Sequence, residues 1–259
     1  MAKTYLHLVR HAQGYHNLNT ANHSLPDPSL TPLGESQCET LSQTFPHTDL
    51  LTHLVASPLR RTIYTALLSF STAVSSGLKV LALPELQETS DLPCDTGSSP
   101  TKLAEEFGPK GQVDISRVHE GWNDKQGRWA PNATAIEARA RDARLFLREL
   151  GAQAEMNGED QHIAVVTHGG YLHYFTEDWD GHERFTGTGW ANTEYRSYEF
   201  VEGSEDASLV ETRESRESRR GTEKPLTADE QRELKATAEK EWRESGFQTP
   251  PEVELEAKL

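Results

Sequence analysis

The sequence has little cysteine: two residues in 259, Cys38 and Cys94. Two thiols cannot form the disulfide framework of a small secreted domain, so we expect free thiols in a reducing compartment. The N-terminal segment starts a strand-like pattern almost at once, which Arg10 and His11 interrupt, and it lacks the features of a signal peptide. No apolar run is long enough to span a bilayer. These absences predict a cytoplasmic protein with no membrane partner.

Positive charge and apolar residues are also scarce. The 26 basic residues are outnumbered by 41 acidic ones, which gives a formal net charge of -15. A nucleic-acid partner is not expected, because a phosphate backbone needs a basic face. A small anionic substrate is compatible with this charge if its pocket is locally positive. Hydrophobic residues make up 35%, which is low for this length and predicts a stretch outside the core.

Short apolar runs alternate with helical patterns along most of the chain. This alternation predicts an α/β fold, a three-layer α/β/α sandwich around a mostly parallel sheet. Ligands of such folds bind outside the carboxyl ends of the strands. The predicted strands are residues 5–9, 54–56, 79–83, 163–167 and 196–201, and the main predicted helices are residues 33–45, 57–70 and 134–154.

Three of the predicted strands end in residues that suit phosphoryl transfer. Such chemistry needs a nucleophile, positive charge around the transferring oxygens and an acid for the leaving group. Arg10 and His11 follow the first strand, and His168 follows the fourth. Ser57 follows the second strand and, with Pro58, predicts an N-cap for a helix that carries Arg61. We expect these side chains to meet at one sheet edge.

Each of these residues also has a purely structural interpretation. An Arg-His pair at a strand end is common, and a lone His168 would more often be a hydrogen-bonded core histidine. Basic groups gathered at three strand ends are harder to explain in this way, because burying unpaired charge is costly.

Four segments together carry a recognisable series of motifs: LVRHAQGYHN at 8–17, LTPLGESQ at 30–37, SPLRRTIYTA at 57–66 and VVTHGG at 165–170. They resemble the RHG, LTxxGxxQ, SPLxRTxxTA and second-histidine motifs of the histidine phosphatase superfamily, which is phosphoglycerate mutase-like. The RHxQGxHN variant, with WANTE at 190–194, is most similar to a fungal branch.

The resemblance implies a pocket residue by residue. His11 would be the nucleophile, and Arg10, Asn17, Arg61 and His168 would bind the phosphoryl group. Gly169, which lets the backbone approach closely, would be a further phosphate contact.

The resemblance also implies a general acid in a segment of the form L-x-E, which Leu86-Gln87-Glu88 matches. Glu88 is therefore our prediction, with Glu85 and Asp91 kept as alternatives.

Departures from the family pattern bear on the reaction. The mutases have a Glu-Ser pair where this chain has Gln13-Gly14, and their NERHYG-type segment is absent. Both changes favour hydrolysis of a small-molecule phosphate ester through a phosphohistidine on His11, without metal or cofactor. The alternatives are a phosphomutase and a non-catalytic phosphate-ligand binder or scaffold.

Composition changes after Gly203, where charged residues dominate. We therefore predict a catalytic domain over residues 1–202 and a polar extension over residues 203–259. A capping-box match at Thr227 and Glu230 predicts one helix, which we expect to add little to the core. The apolar residues of the extension could dock on the domain or on a second subunit, so a homo-oligomer stays open; they are Leu226, Leu234, Trp242 and Phe247.

Overall fold

The computed structural model describes residues 2–154, 158–182, 188–220 and 224–250. The strands are β1 (Thr4–Arg10), β2 (His53–Ala56), β3 (Val80–Ala82), β4 (Val113–Asp114), β5 (Gln161–Thr167), β6 (Tyr195–Phe200) and β7 (Leu209–Glu211). The α-helices are α1 (Pro32–Thr44), α2 (Arg60–Ser69), α3 (Ser71–Ser75), α4 (Pro100–Phe107), α5 (Ala133–Ala154), α6 (Gly169–Thr176), α7 (Arg213–Arg220) and α8 (Ala228–Glu244). None of the helices described is both long and apolar enough to cross a membrane.

One sheet organises the chain, in the order β4-β3-β2-β5-β1-β6-β7. Strands β1 to β5 run parallel, and β6 and β7 add an antiparallel edge. The central strands β1 and β5 are buried along nearly their whole length, as expected for strands covered on both faces. The predicted α/β fold with a mostly parallel sheet is therefore confirmed.

Helices cover both faces of this sheet because side chains alternate along each strand. Leu6, Leu8 and Val165 pack in one cluster with residues of α5 and α6. Val9 and Val166 pack on the opposite face, in a cluster with residues of α1, α2 and α3. The alternation produces the three layers and leaves the carboxyl ends of β1, β2 and β5 at one edge.

The predicted N-cap at Ser57 is wrong. Helix α2 begins at Arg60, and Leu59 is its N-cap. The Ser57 amide instead continues the β2–β5 pairing by donating to the Val166 carbonyl at 3.0 Å. Ser57 therefore ends a strand, and its hydroxyl is left for another partner.

The chain after residue 202 takes part in the sheet. Strand β7 pairs with β6, so the predicted division at residue 202 falls inside a β-hairpin. In the next helix, Arg216 and Arg219 form buried ion pairs with Glu211 and Asp178. Residues up to α7 are thus joined to the sheet by backbone pairing and by charge.

Helix α8 forms as predicted but contributes more to the core than expected. Thr227 and Glu230 make the reciprocal hydrogen bonds of a capping box. Ala238 is fully buried, and Leu234 and Trp242 pack against the core cluster that contains α5 and α6. The expectation of a small core contribution is wrong, because the few apolar residues of α8 lie on one face and dock on the same chain.

We predict that Trp242→Ala lowers the free energy of unfolding by about 2–3 kcal/mol, since a large aromatic contact is lost. The Trp242 ring lies 5.8 Å from the Trp179 ring and 6.1 Å from the Tyr174 ring, centroid to centroid. Chemical denaturation measures the change. The exposed Lys240→Ala on the same helix is the control, with an expected change within about 0.5 kcal/mol. Equal stability of the two variants would contradict the docking of α8.

Candidate active site

His11 lies at the carboxyl end of β1, held by its backbone. Its amide donates to the Thr167 carbonyl at 2.9 Å, and its carbonyl accepts from the Asn192 side chain at 2.9 Å. The ring Nδ1 lies 2.7 Å from the carbonyl oxygen of Ala12, which can only accept, so Nδ1 carries the proton. The Nε2 lone pair is then available for attack on phosphorus.

The surroundings of His11 keep its ring neutral. Burial lowers the pKa of His11 well below 6.5, and the charges of Arg61, His16 and Arg10 lower it further. The hydrogen bond to Ala12 acts in the opposite direction and does not outweigh burial. A neutral imidazole is the form that can act as a nucleophile.

Arg61 and His168 meet beside His11. The rings of His11 and His168 lie 5.2 Å apart, centroid to centroid. Arg61 Nη2 donates to His168 Nδ1 at 3.0 Å, so the other ring nitrogen of His168 carries the proton and donates to Ser57 Oγ at 2.9 Å. His168 is therefore neutral in this arrangement, and burial lowers its pKa well below 6.5.

A buried carboxylate balances the charge of Arg61. Arg61 Nη2 lies 2.8 Å from Asp95 Oδ1, and Nη1 donates to the Cys94 carbonyl at 2.6 Å. Ser90 donates to the second oxygen of Asp95 at 2.6 Å. The guanidinium, which is 0% exposed, is thus fixed in place by the segment that follows β3.

Several buried polar atoms around His11 have no protein partner. Among the residues described, these include Nε of Arg10, Nε of Arg61 and Nδ1 of His16. Arg10 is anchored by Nη1, which donates to Thr188 at 3.0 Å and to the Trp190 carbonyl. Buried unpaired donors are costly, and an anion placed between them would satisfy them. The arrangement suits a phosphoryl group.

Glu88 lies against the start of α6. Its Oε1 accepts from the amides of Thr89 at 2.9 Å and Tyr171 at 3.0 Å, and its Oε2 accepts from Gly170 at 3.4 Å. Burial raises the pKa of Glu88, and the charge of Asp95 raises it further. The Thr89 amide and the charges of Arg61 and Arg10 act in the opposite direction, but the pKa of Glu88 stays raised. A carboxyl with a raised pKa is suited to donate a proton near neutral pH.

The two alternative acids lie in other surroundings. Glu85 accepts from Arg128 at 3.1 Å, among residues 116–129 and away from the His11 cluster. Asp91 is exposed. Neither accepts from the amides at the start of α6 as Glu88 does, so Glu88 stays the predicted acid.

Asn17 and Gly169 each lie close to a predicted phosphate-binding residue or to the backbone beside it. Asn17 Oδ1 accepts from the Gly14 amide at 3.0 Å, which leaves its amide nitrogen to contact a ligand. Gly169 follows His168 at the start of α6, and a Cβ there would lie 2.7 Å from the Cβ of Thr188. A side chain at Gly169 would therefore displace the residue that holds Arg10.

Sequence reasoning missed several residues of this site. His16 is buried with its ring 5.3 Å from that of His11, and the histidine of the RHxQGxHN variant was the available signal. Ser57 and Asn192 lay inside recognised motifs, but neither was expected to contact the pocket histidines. Asp95 and Lys125 lie outside the recognised motifs, in the irregular stretch over residues 85–132, and only folding brings them to the site. Lys125 Nζ donates to the Glu88 carbonyl at 3.3 Å.

The fold and this site define a protein of the phosphoglycerate mutase-like class. Residues 6–214 match the family model of the histidine phosphatase superfamily, branch 1. The chain belongs to that superfamily. The match extends beyond residue 202 and includes β7.

Similar proteins are found by sequence and by fold. A phosphoglycerate mutase-like protein of Arabidopsis thaliana is 30% identical over 204 residues, which are 65% of this chain and 72% of the relative. The ecdysone phosphate phosphatase of Bombix mori, solved with tungstate, has a TM-score of 0.55 at 14% identity, over 80% of this chain and 92% of that one. A phosphoserine phosphatase of Entamoeba histolytica has a TM-score of 0.48 at 17% identity, over 81% and 95%.

We predict that Ser57→Ala lowers kcat roughly tenfold with little change in folding, because His168 loses the partner that orients its ring. Steady-state kinetics and circular dichroism measure the two effects. Ser69→Ala, buried at the far end of α2, is the control and should keep the wild-type rate. A Ser57→Ala protein with unchanged kcat would show that this hydrogen bond does not position His168.

Proposed function

We propose that this protein hydrolyses a small-molecule phosphate ester through a phosphohistidine on His11, without a metal ion. The observation that carries the proposal is the neutral His11 ring with a free Nε2 beside the buried arginines Arg10 and Arg61. Membership of the histidine phosphatase superfamily supports the same reaction class. The roles of the individual residues are part of the proposal.

In the first step, Nε2 of His11 attacks phosphorus and the bond to the leaving oxygen breaks. Arg10, Arg61 and Asn17 hold the phosphoryl oxygens, and the backbone at Gly169 approaches them. His168, which accepts from Arg61 and donates to Ser57, keeps the Arg61 guanidinium in position. The arginines stabilise the charge that these oxygens carry in the transition state. Glu88 gives its proton to the leaving oxygen, which departs as an alcohol.

In the second step, water attacks the phosphohistidine and the P–N bond breaks. The Glu88 carboxylate takes a proton from the water, so inorganic phosphate leaves and Glu88 is again protonated. The electron pair of the P–N bond returns to Nε2, which restores the neutral imidazole. The Ala12 carbonyl holds the Nδ1 proton throughout, so the same nitrogen is presented in every cycle.

Hydrolysis is favoured over phosphoryl return by the two residues at positions 13 and 14. Gln13 Oε1 accepts from Thr31 Oγ1 at 2.8 Å, and the Gln13 amide donates to Gln37 at 2.8 Å. The contact with Thr31, the N-cap of α1, holds the Gln13 side chain against that helix, and Gly14 has no side chain. Neither position offers the phosphate contact that the serine of a mutase makes. A stable phosphoenzyme that returns its phosphate to product would favour the mutase.

His11→Ala should abolish turnover, by on the order of 10⁴-fold or more, while the protein stays folded, because the nucleophile is lost. Release of inorganic phosphate across a panel of phosphate esters measures it. His119→Ala, at an exposed histidine between β4 and α5, is the control and should retain full activity. Substantial activity in pure His11→Ala protein would refute the proposal, and tight ester binding without turnover in the wild type would favour a binding protein.

The pH dependence of turnover should reflect two pKa shifts. The pKa of His11 is depressed below 6.5, so the nucleophile stays deprotonated and active well into the acid range. The pKa of Glu88 is raised above 4.5, so the acid stays protonated to higher pH than an ordinary carboxyl. We predict that kcat for an alkyl phosphate falls as pH rises through the raised pKa of Glu88.

Glu88→Gln should remove this alkaline decrease and slow alkyl phosphates at least tenfold more than aryl phosphates, whose leaving groups need little protonation. Glu85→Gln is the matched control and should keep the wild-type profile. Equal slowing of both ester classes by Glu88→Gln would exclude Glu88 as the acid.

A further inference from the structure

Three histidines form a second group of functional side chains, away from the phosphoryl pocket. His7 lies in β1, His162 lies in β5, and His47 lies between α1 and β2. One ring nitrogen from each lies within 4.8 Å of the other two. Within the part of the chain that the structure describes, this is the group whose potential ligand atoms come close enough to hold a metal ion.

The group is separate from the proposed reaction centre. His7 precedes His11 by four residues of β1, a distance of about 13 Å at about 3.3 Å per residue. The His7 ring contacts that of Phe45, on the face covered by α1, α2 and α3. The histidine group therefore lies toward the amino ends of the strands, whereas His11 lies at the carboxyl ends.

The distances suit ligands of one cation. His7 Nε2 and His162 Nδ1 are 3.0 Å apart. Two imidazole nitrogens bound to one tetrahedral zinc ion, each at about 2.0–2.1 Å, lie about 3.3 Å apart. His47 is half-buried on a connecting segment, and its ring nitrogen lies within 4.8 Å of the other two.

Neighbouring side chains orient two of the rings. His7 Nδ1 lies 2.8 Å from Ser197 Oγ, which can accept the Nδ1 proton and leave Nε2 as the ligand atom. Metal-bound histidines commonly donate their second ring N–H to an oxygen acceptor, usually a carboxylate, a carbonyl or water, and here a hydroxyl lies in that place. The Tyr5 ring stacks on His162 with 4.9 Å between centroids, which restricts the ring plane.

We propose that His7, His47 and His162 bind one divalent transition-metal ion, with zinc the best match and a fourth position open to water. Imidazole nitrogen suits zinc, copper and nickel, whereas magnesium and calcium need oxygen ligands. The bound ion joins β1, β5 and the segment after α1. Its effect is to stabilise the fold, and the proposed phosphatase reaction does not depend on it.

The test uses the full chain without an affinity tag and after chelator treatment. Zn²⁺ is titrated in competition with a chromophoric chelator, and Co²⁺ is titrated for the visible absorption of a tetrahedral nitrogen site. We expect one equivalent bound with micromolar or tighter affinity and a raised melting temperature. Absence of stoichiometric binding in this range would overturn the proposal.

Variants identify the ligands. His47→Gln and His162→Gln, at half-exposed positions, should each weaken zinc binding at least tenfold and remove the Co²⁺ absorption. His53→Gln, at a half-buried histidine in β2 outside the group, should bind as the wild type does. His11→Ala should also retain binding, which excludes the histidines of the phosphoryl pocket as the source. Unchanged binding in His47→Gln and His162→Gln, or equal loss in His53→Gln, would overturn the assignment.

Discussion

The buried guanidinium of Arg61 is the interaction on which the site depends. Moving an unpaired charge out of water costs several kcal/mol, so its partners must be in place whenever the protein is folded. Asp95, the Cys94 carbonyl and His168 supply those partners from two different segments. His168 in turn contacts Ser57 at the end of β2. One buried cation thus ties three elements together at the edge where His11 is presented.

The surroundings of the site shift the pKa values of His11 and Glu88 in opposite directions. His11 is surrounded by burial and positive charge, which disfavour its protonated form. Desolvation and the charge of Asp95 raise the pKa of Glu88, which disfavours its ionised form. A neutral nucleophile and a protonated acid can therefore coexist in one pocket, as nucleophilic attack with proton donation requires. The segment that positions Glu88 is held by Arg139, whose guanidinium donates to the carbonyls of Gln87 and Glu88.

Prediction from the sequence succeeded where the signal was local. The strand before His11, the helix that carries Arg61 and the capping box at Thr227 each depend on residues close in the chain. It failed at Ser57, which has the sequence of a helix N-cap but extends a strand, because pairing with β5 outweighs the local preference. The predicted small core contribution of α8 was also wrong, because the overall polar composition of the segment does not show that its few apolar residues reach the core.

The sequence by itself determined the mostly parallel α/β fold and the superfamily, because alternating patterns and motif spacing are local features of the chain. The same motifs identified the candidate residues His11, Arg10, Arg61, His168 and Glu88. Only the tertiary structure decided the surroundings of the three candidate acids, since Glu88 accepts from backbone amides at the start of α6, Glu85 pairs with Arg128 and Asp91 is exposed. It alone also brought Asp95 and Lys125 to the site of His11, and His7 together with His47 and His162. These are contacts between distant segments, and the energy that selects them comes from burial and pairing after folding.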